Sequence, residues 1–463
     1  MASDRSRKNV LLAAACGSSL APFMVSALIV ALPAIGREFS VGPADLGWVT
    51  NIFFLSAAVF LVPIGRIADQ TGIRRVFTAG ITVYIISALL CVLSPDIGFF
   101  ICARFITGIG AAMVFGTSIA LISLVFPESE RGKAIGINVT AMAVGFLLGF
   151  FLGGILTYYA GWRSILLVTI PFEVIILYII FSRLKGECEI VRKKEPDAMG
   201  SVLYAGALFF GMAGFNFLPH TIGILLLVIG CMALVLFMRR ERTASFPLLD
   251  TRALSRNRTF VFANLTALIF NTSNFSIIFL VSLYLQIVRG IDVREAGLIL
   301  LVPIIFMAGL SSFAGKLADR IDPRIVIGAG VSATALSLGI LSLISADTPL
   351  AAVILALILM GSSIALCQSP LVRTLVTSVP RDIYSLASGM VETMRLAGMT
   401  MSIAVSLIVF SIDGIGTPSG ANDTVLFLAS LREIFTILFV FAAIAFVVTF
   451  FVKAKTAGRK ITA

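Results

Sequence analysis

Glu392 and Arg395 stand three residues apart inside an apolar run of this 463-residue chain. On a helix they share a face, and Ser388 and Met399 continue the stripe. At 1.5 Å per residue, Glu392 lies about 12 Å from the end of its helix. A charge placed in hydrocarbon costs roughly 2.5–3.5 kcal/mol on insertion scales, so each one needs a reason. Glu392 can bind a proton or a cationic substrate, with Arg395 biasing its charge as the surroundings open; alternatively the two neutralise each other as a structural pair. Glu173 lies about 15 Å into another run, near a bilayer midplane. A carboxyl there is neutral unless paired, either as a proton carrier or as a packed polar group. Arg104 sits inside a third run. An arginine does not give up its proton, so its chemistry is electrostatic, or it is a hydrogen-bond hub. Asn264, Asn271 and Asn274 fall within a sector of about 80° on a helical wheel. Asn271, Asn274 and Gln368 are candidate neutral donors to a substrate, or else interhelical bonds worth about 0.6 kcal/mol each.

The elements that position these residues are membrane spans. The chain is 59% hydrophobic and 13% charged, with mean hydropathy +1.06, more apolar surface than a water-soluble fold of this length hides. A span needs roughly 20 apolar residues. Fourteen runs qualify: 10–35, 46–66, 76–94, 98–126, 134–158, 163–182, 199–218, 221–238, 260–285, 296–314, 325–344, 350–372, 385–410 and 433–453. With the N-terminus inside, 28 of the 35 Lys and Arg fall on the cytoplasmic side. Five lie outside (Arg37, Arg163, Arg289, Arg294, Arg432) and two within spans (Arg104, Arg395). This bias follows the positive-inside rule and predicts fourteen spans with both termini cytoplasmic. The net charge of +11 then reflects topology and contact with anionic lipid, and calls for no nucleic acid. The first run is too long for a cleaved signal and is expected to remain as an anchor. The cysteines (Cys16, Cys91, Cys102, Cys188, Cys231, Cys367) show no disulfide or metal spacing. The single histidine, His220, reads as a loop residue. No phosphate-binding Gly-x-x-x-x-Gly-Lys-Ser/Thr and no His-Glu-x-x-His occurs, so neither a cofactor nor an enzymatic centre is expected.

One segment is duplicated. Gly65-Arg66-Ile67-Ala68-Asp69, running on to Arg74 and Arg75, returns in degenerate form as Gly315-Lys316-Leu317-Ala318-Asp319-Arg320. Each copy joins two apolar runs. Asp69 and Asp319 are expected to cap or bridge adjacent helix ends, with Arg74 and Arg75 as partners. Such pairs would favour an outward-open state and break when two halves rock, as a conformational switch. The polar linkers 184–198 and 239–259 divide the spans six, two and six. The expected units are a bundle over 9–183, linkers with two extra spans over 184–259, and a second bundle over 260–455. Helices 7 and 8 carry almost no polar residues and are expected to face lipid. The segment about 411–432 reads as a connector or a lid. Gly145, Gly149, Gly153 and Gly154 make a small-residue face that lets helix 5 approach a neighbour and slide.

These features together resemble the major facilitator superfamily, and within it the fourteen-helix drug:proton antiporter family. Gly65 to Arg75 is similar to its helix 2–3 loop motif. Arg104-Phe-Ile-Thr-Gly108-Ile-Gly110 resembles its helix 4 motif, with Thr107 in place of the usual Gln. Gly161-Trp162-Arg163 with Pro171, Pro247-Leu-Leu-Asp250, Ser282 to Gln286, Ala296-Gly297, Pro303, Ser388-Gly389, Arg395 and Gly398 match further landmarks in order. The resemblance implies a cavity between helices 1–6 and 9–14, lined in part by helix 9, and a role for Arg104 in proton transfer. It places helix 6, with Glu173, at the periphery. Two departures bear on coupling. Met24 stands where the exporters carry an acid, nine residues before Ala31-Leu32-Pro33, and Phe150 replaces the proline of the helix 5 motif.

The expected protein is an all-α integral membrane transporter with pseudo-two-fold halves, working by alternating access. Its expected task is proton-driven export of amphipathic, often cationic small molecules across the plasma membrane, by a monomer. Phe23, Met24, Ser26 and Met399 would line an adaptable cavity. The alternatives are a narrower metabolite or lipid carrier of the same fold with different coupling, and a channel or scaffold without coupled transport.

Overall fold

Apolar side chains leave a backbone in hydrocarbon no partner but itself, so each run closes its own hydrogen bonds as a helix. A computed structural model describes residues 4–183, 198–241, 257–379, 384–415 and 421–452; the side chains at 4–6, 128–129, 183, 198, 319, 376–377, 384–388 and 421–422 are outside the description. Cys188, Pro247, Asp250, the side chains of Ser388 and Asp319, most of both linkers and the middle of the 411–432 segment therefore lie outside the described residues. Among the described residues fourteen helices are long and apolar enough to cross a membrane.

In chain order they are α1 (Asp4–Phe39), α2 (Pro43–Thr71), α3 (Ile73–Val92), α4 (Ile97–Val125), α5 (Glu128–Ala160), α6 (Arg163–Arg183), α7 (Ala198–Asn216) and α8 (Thr221–Glu241). There follow α9 (Arg258–Leu283), α10 in two pieces (Val293–Ile299 and Val302–Arg320), α11 (Pro323–Leu341), α12 (Leu350–Thr377), α13 (Tyr384–Ile412) and α14 (Ala421–Thr449). Several helices outrun the apolar cores read from sequence. α5 starts six residues before 134 because Glu128 to Lys133 stay helical beyond the hydrocarbon. α10 breaks after Ile299 because Pro303 lacks an amide and its ring clashes with the carbonyl four residues back. α9 runs into a π-turn over Tyr284–Val288. Asp96, Asn257, Asp292 and Asp322 cap the starts of α4, α9, α10 and α11 by accepting backbone amides. Gly72 alone separates α2 from α3; its φ of 105° is a conformation that favours glycine.

The packing is duplicated. In the first bundle α1 packs on α5, α2 on α4, α3 on α4, α3 on α6 and α1 on α6. Adding eight to each number gives α9 on α13, α10 on α12, α11 on α12, α11 on α14 and α9 on α14, all observed. The pair α7–α8 packs on itself, and α7 touches both bundles at the seam of α2 and α13. Its Asn216 is bonded to Asn51 of α2, Phe217 lies 5.0 Å from the Trp48 ring, and Tyr204 donates to Thr393 of α13 at 3.4 Å.

Glycines set the closest helix approaches. A Cβ on Gly145 would strike the Ser19 carbonyl, one on Gly149 the Phe23 carbonyl and the Ser26 hydroxyl, and one on Gly153 would sit 2.6 Å from the Ala27 Cα. Three glycines thus seat α5 on α1. Gly136, on the same helix, has nothing within 4 Å of such a Cβ. Replacing Gly149 with Val should therefore wedge α1 from α5, costing roughly 1–3 kcal/mol or more, while Gly136→Val should be tolerated. Thermal unfolding in detergent checks this; equal midpoints for the two variants would contradict the packing.

Candidate functional site

Of the intramembrane charges singled out from the sequence, those on α13 are more exposed than Arg104 and Glu173. Glu392 and Arg395 form a bidentate pair, with Arg395 Nε donating to Glu392 Oε2 at 2.9 Å. Arg395 also reaches the Met399 sulfur at 3.9 Å. The side chains are 31% and 20% exposed, so the pair borders open space. Ile403 and Leu407 of the same helix pack against Gly47 of α2, in the opposite bundle. At about 100° per residue, Glu392, Arg395, Met399, Ile403 and Leu407 fall in one sector of about 120°. The pair therefore lies on the seam-facing stripe of α13. On the far side of α13, Met394, Ala397 and Met401 border an apolar cleft of about 200 Å³ shared with α7.

The other candidate donors of the second bundle are engaged with protein. Asn274 Nδ2 donates to Thr334 of α11 at 3.1 Å and to Ser363 of α12 at 3.0 Å, and Thr334 donates to Ser363 at 2.8 Å. Asn271 donates to the Ala267 carbonyl at 2.7 Å and accepts from Gln368 at 3.4 Å. Both asparagines are buried, while Gln368 is half-buried. Met24 and Ser26 are wholly buried; the Ser26 hydroxyl donates back to Pro22 at 2.8 Å, and Phe23 is half-buried. Met399 is buried beside Arg395.

In the first bundle Arg104 is fully buried. Its Nε donates to the Val49 carbonyl at 3.4 Å, its guanidinium lies 4.8 Å from the Phe53 ring centre, and its Nη1 has no partner. Among the described residues no carboxylate lies within ion-pair reach of it. Glu173 is also fully buried, with neither carboxyl oxygen hydrogen-bonded; Thr169, one turn earlier, donates to the Leu166 carbonyl at 2.8 Å instead. Tyr84 of α3, earlier in the chain than both, is also buried in the first bundle, and its hydroxyl has no hydrogen-bond partner. Sequence reasoning passed over Tyr84, although a tyrosine inside an apolar run was a visible signal.

The duplicated loops lie at the face where α1 begins. Arg74 donates to the Ile180 carbonyl of α6 at 3.1 Å. Asp69 and Arg75 are exposed, as is Arg320. Nothing lies within 4 Å of a Cβ on Gly65, and one on Gly315 would make only ordinary contact with Ser369 at 3.6 Å. In the second copy it is Asp322 that caps α11, through the Arg324 amide at 3.0 Å.

The bundles meet at the opposite face. A Cβ on Gly154 would lie 2.7 Å from the Val293 carbonyl, and one on Gly297 2.6 Å from the Phe150 carbonyl, so α5 and α10 touch backbone to backbone. Arg294 lies 3.8 Å from the Tyr158 ring centre and pairs with Asp292 at 2.8 Å. Arg294, donating beside it, holds the Asp292 carboxyl below the usual carboxylate range. Ser282 donates to the Ile29 carbonyl at 3.0 Å and Gln286 to the Val30 carbonyl at 2.9 Å, tying α9 to α1. Phe54 and Phe275 meet edge-on at 4.7 Å below them. Trp162 Nε1 donates to Glu38 at 2.6 Å, and Arg163 joins Glu38 to the Val92 and Ser94 carbonyls, binding the first bundle's own rim. The cross-bundle latch of Arg294, Tyr158, Ser282 and Gln286 was not singled out as such by sequence, because each partner is more than a hundred residues away.

A double-mutant cycle tests whether Glu392 and Arg395 act as one unit. Glu392→Gln, Arg395→Gln and the double variant should show a coupling of about 1–3 kcal/mol in unfolding free energy. Additive effects would mean that the two side chains do not depend on each other.

Comparison with known proteins agrees with this architecture. A family model described as the Major Facilitator Superfamily matches residues 14–403. The multidrug resistance protein Stp of Mycobacterium tuberculosis (strain ATCC 25618 / H37Rv) is 33% identical over 411 residues, covering 86% of this chain and 75% of its own length. The riboflavin transporter RibZ of Clostridioides difficile (strain 630) is 26% identical over 382 residues, covering 82% of this chain and 83% of its own. Among solved structures, a bacterial homologue of the human lysosomal transporter Spinster, inward-facing and unoccupied, superposes with a TM-score of 0.72 at 18% identity, covering 97% and 98% of the two chains. Fourteen apolar helices, the doubled packing and the family match lead to one assignment: the chain belongs to the Major Facilitator Superfamily and is a multi-pass membrane transporter, not an enzyme.

Proposed function

We propose that the chain exports amphipathic, often cationic compounds by alternating access, driven by inward proton flow. The observation that carries this reading is the Glu392–Arg395 pair, partly exposed on the seam-facing stripe of α13. A carboxylate held by an arginine beside the substrate path can exchange that arginine for a proton or a cation. The kinship to a protein named for multidrug resistance supports the substrate class. Glu173 is a second proton carrier in this reading, with Arg104 biasing its charge. Residues 9–183 and 260–455 move as two bodies, joined by 184–259, with both termini cytoplasmic, in the plasma membrane, as a monomer. In that orientation the contacts between α5 and α10 and between α1 and α9 close the outer side, so the structure corresponds to the inward-facing half of the cycle. The Asp69 and Asp319 loops then engage when the inner side closes.

Two observations favour a narrower carrier with other coupling. Met24, at the place of the exporters' acid, is wholly buried, and a relative is named for riboflavin transport.

Proteoliposomes with a trapped pH dye and a panel of lipophilic cations separate the readings. Substrate-dependent proton movement is the expected result; saturable flux with no proton response would favour the narrower carrier. Glu392→Gln should abolish proton-driven flux by tenfold or more while leaving counterflow exchange, and intact proton coupling in that variant would remove Glu392 from the mechanism. Asp69→Asn should slow turnover several-fold without weakening substrate binding, whereas unchanged turnover would take the loop out of the switch.

A further inference from the structure

A cleft of about 420 Å³ opens on the wall of the first bundle, between α3 and the end of α6. Arg74 and Arg75 stand at one end of it, in the first turn of α3, and Thr78, Thr82 and Phe181 line the rest. Arg75, Thr82 and Ile86 are exposed along this side of α3, so the cleft looks outward to the bilayer and away from the seam. Arg74 is held in place by its bond to the Ile180 carbonyl at 3.1 Å, which ties the guanidinium to the end of α6. The hydroxyls of Thr78 and Thr82 are spent within the helix, donating to the Arg74 and Thr78 carbonyls at 2.8 and 3.0 Å. What they present to the cleft is chiefly methyl groups beside the Phe181 ring. From Arg75 to Thr82, the last α3 residue that lines the cleft, the helix rises about 10 Å, part of the depth of one leaflet in a hydrocarbon core about 30 Å thick.

Two arginines at the edge of the hydrocarbon, beside a largely apolar wall that runs from them to Thr82, fit an amphipathic anion. We propose that this cleft binds one anionic phospholipid from the leaflet on the side of the chain's N-terminus. Its phosphate sits on Arg74 and Arg75, which pair with phosphate as planar donors, and an acyl chain lies along Thr78, Thr82 and Phe181. A zwitterionic lipid offers the same chain but no net charge, and a soluble phosphate offers the charge but no chain. The site is separate from the substrate path and holds whether or not transport is proton-coupled.

Native mass spectrometry of the full chain, titrated with phosphatidylglycerol, phosphatidylcholine or glycerol 1-phosphate, tests it. One phosphatidylglycerol should remain bound at tenfold lower concentration than phosphatidylcholine, and glycerol 1-phosphate should not be retained. The Arg74→Gln/Arg75→Gln double variant should lose that preference. Thr82→Trp, which fills the apolar wall and keeps both arginines, should weaken phosphatidylglycerol by a similar factor, and it decides the matter if the arginine variant does not fold. Equal retention of the two lipids, retention of glycerol 1-phosphate, or unchanged binding by Thr82→Trp would each overturn the proposal.

Discussion

α5 touches both halves of the molecule through glycine. On one side Gly145, Gly149 and Gly153 bring it against the α1 backbone. A quarter-turn away Gly154 meets the start of α10, and Gly297 returns the contact on the Phe150 carbonyl. Contacts of this kind are short and lack interlocking side chains, so dispersion between backbones holds them and a small tilt does not tear them apart. A helix fastened on three glycines to its own bundle, and on one to the other bundle, transmits the position of α1 to α10. Cross-bundle bonds from Ser282 to Ile29, from Gln286 to Val30, and from Arg294 to the Tyr159 hydroxyl, with Arg294 over the Tyr158 ring, cluster around that contact.

Most intramembrane polar groups are consumed by the bundles themselves. Asn274, Thr334 and Ser363 knit α9, α11 and α12 together, and Asn271 holds its own helix and Gln368. This leaves two kinds of charge. Glu392 and Arg395 satisfy each other, partly exposed at the seam. Glu173 and Arg104 are sealed inside the first bundle without a mutual bond, as is the unpartnered Tyr84 hydroxyl.

The span count was legible because hydrophobic length is a one-dimensional property, and the doubled packing was announced by the Gly65–Asp69 repeat. The glycine face of α5 was legible for the same reason, since spacing along one helix defines it. Its partners were not: nothing in sequence says that Gly154 serves a different neighbour from Gly153. Helix ends ran past the apolar runs because polar residues such as Arg131 and Lys133 remain helical outside hydrocarbon. The asparagine stripe of α9 was visible, but whether it faces substrate or a neighbouring helix depends on Thr334 and Ser363, sixty and eighty-nine residues away. Glu38, which gathers Trp162 and Arg163, attracted no notice because its partners are brought to it by the fold.

The account turns on reciprocal motion about the α5–α10 contact. Pairs of spin labels report it directly: Ile137 of α5 with Phe313 of α10 towards the face of the duplicated loops, and Tyr159 of α5 with Leu298 of α10 at the opposite face, all exposed positions. Double electron–electron resonance distances would be measured in liposomes with and without a transported cation. The account predicts that the Ile137–Phe313 distance shortens as the Tyr159–Leu298 distance lengthens. Distances that stay fixed, or that change together in the same direction, would contradict it.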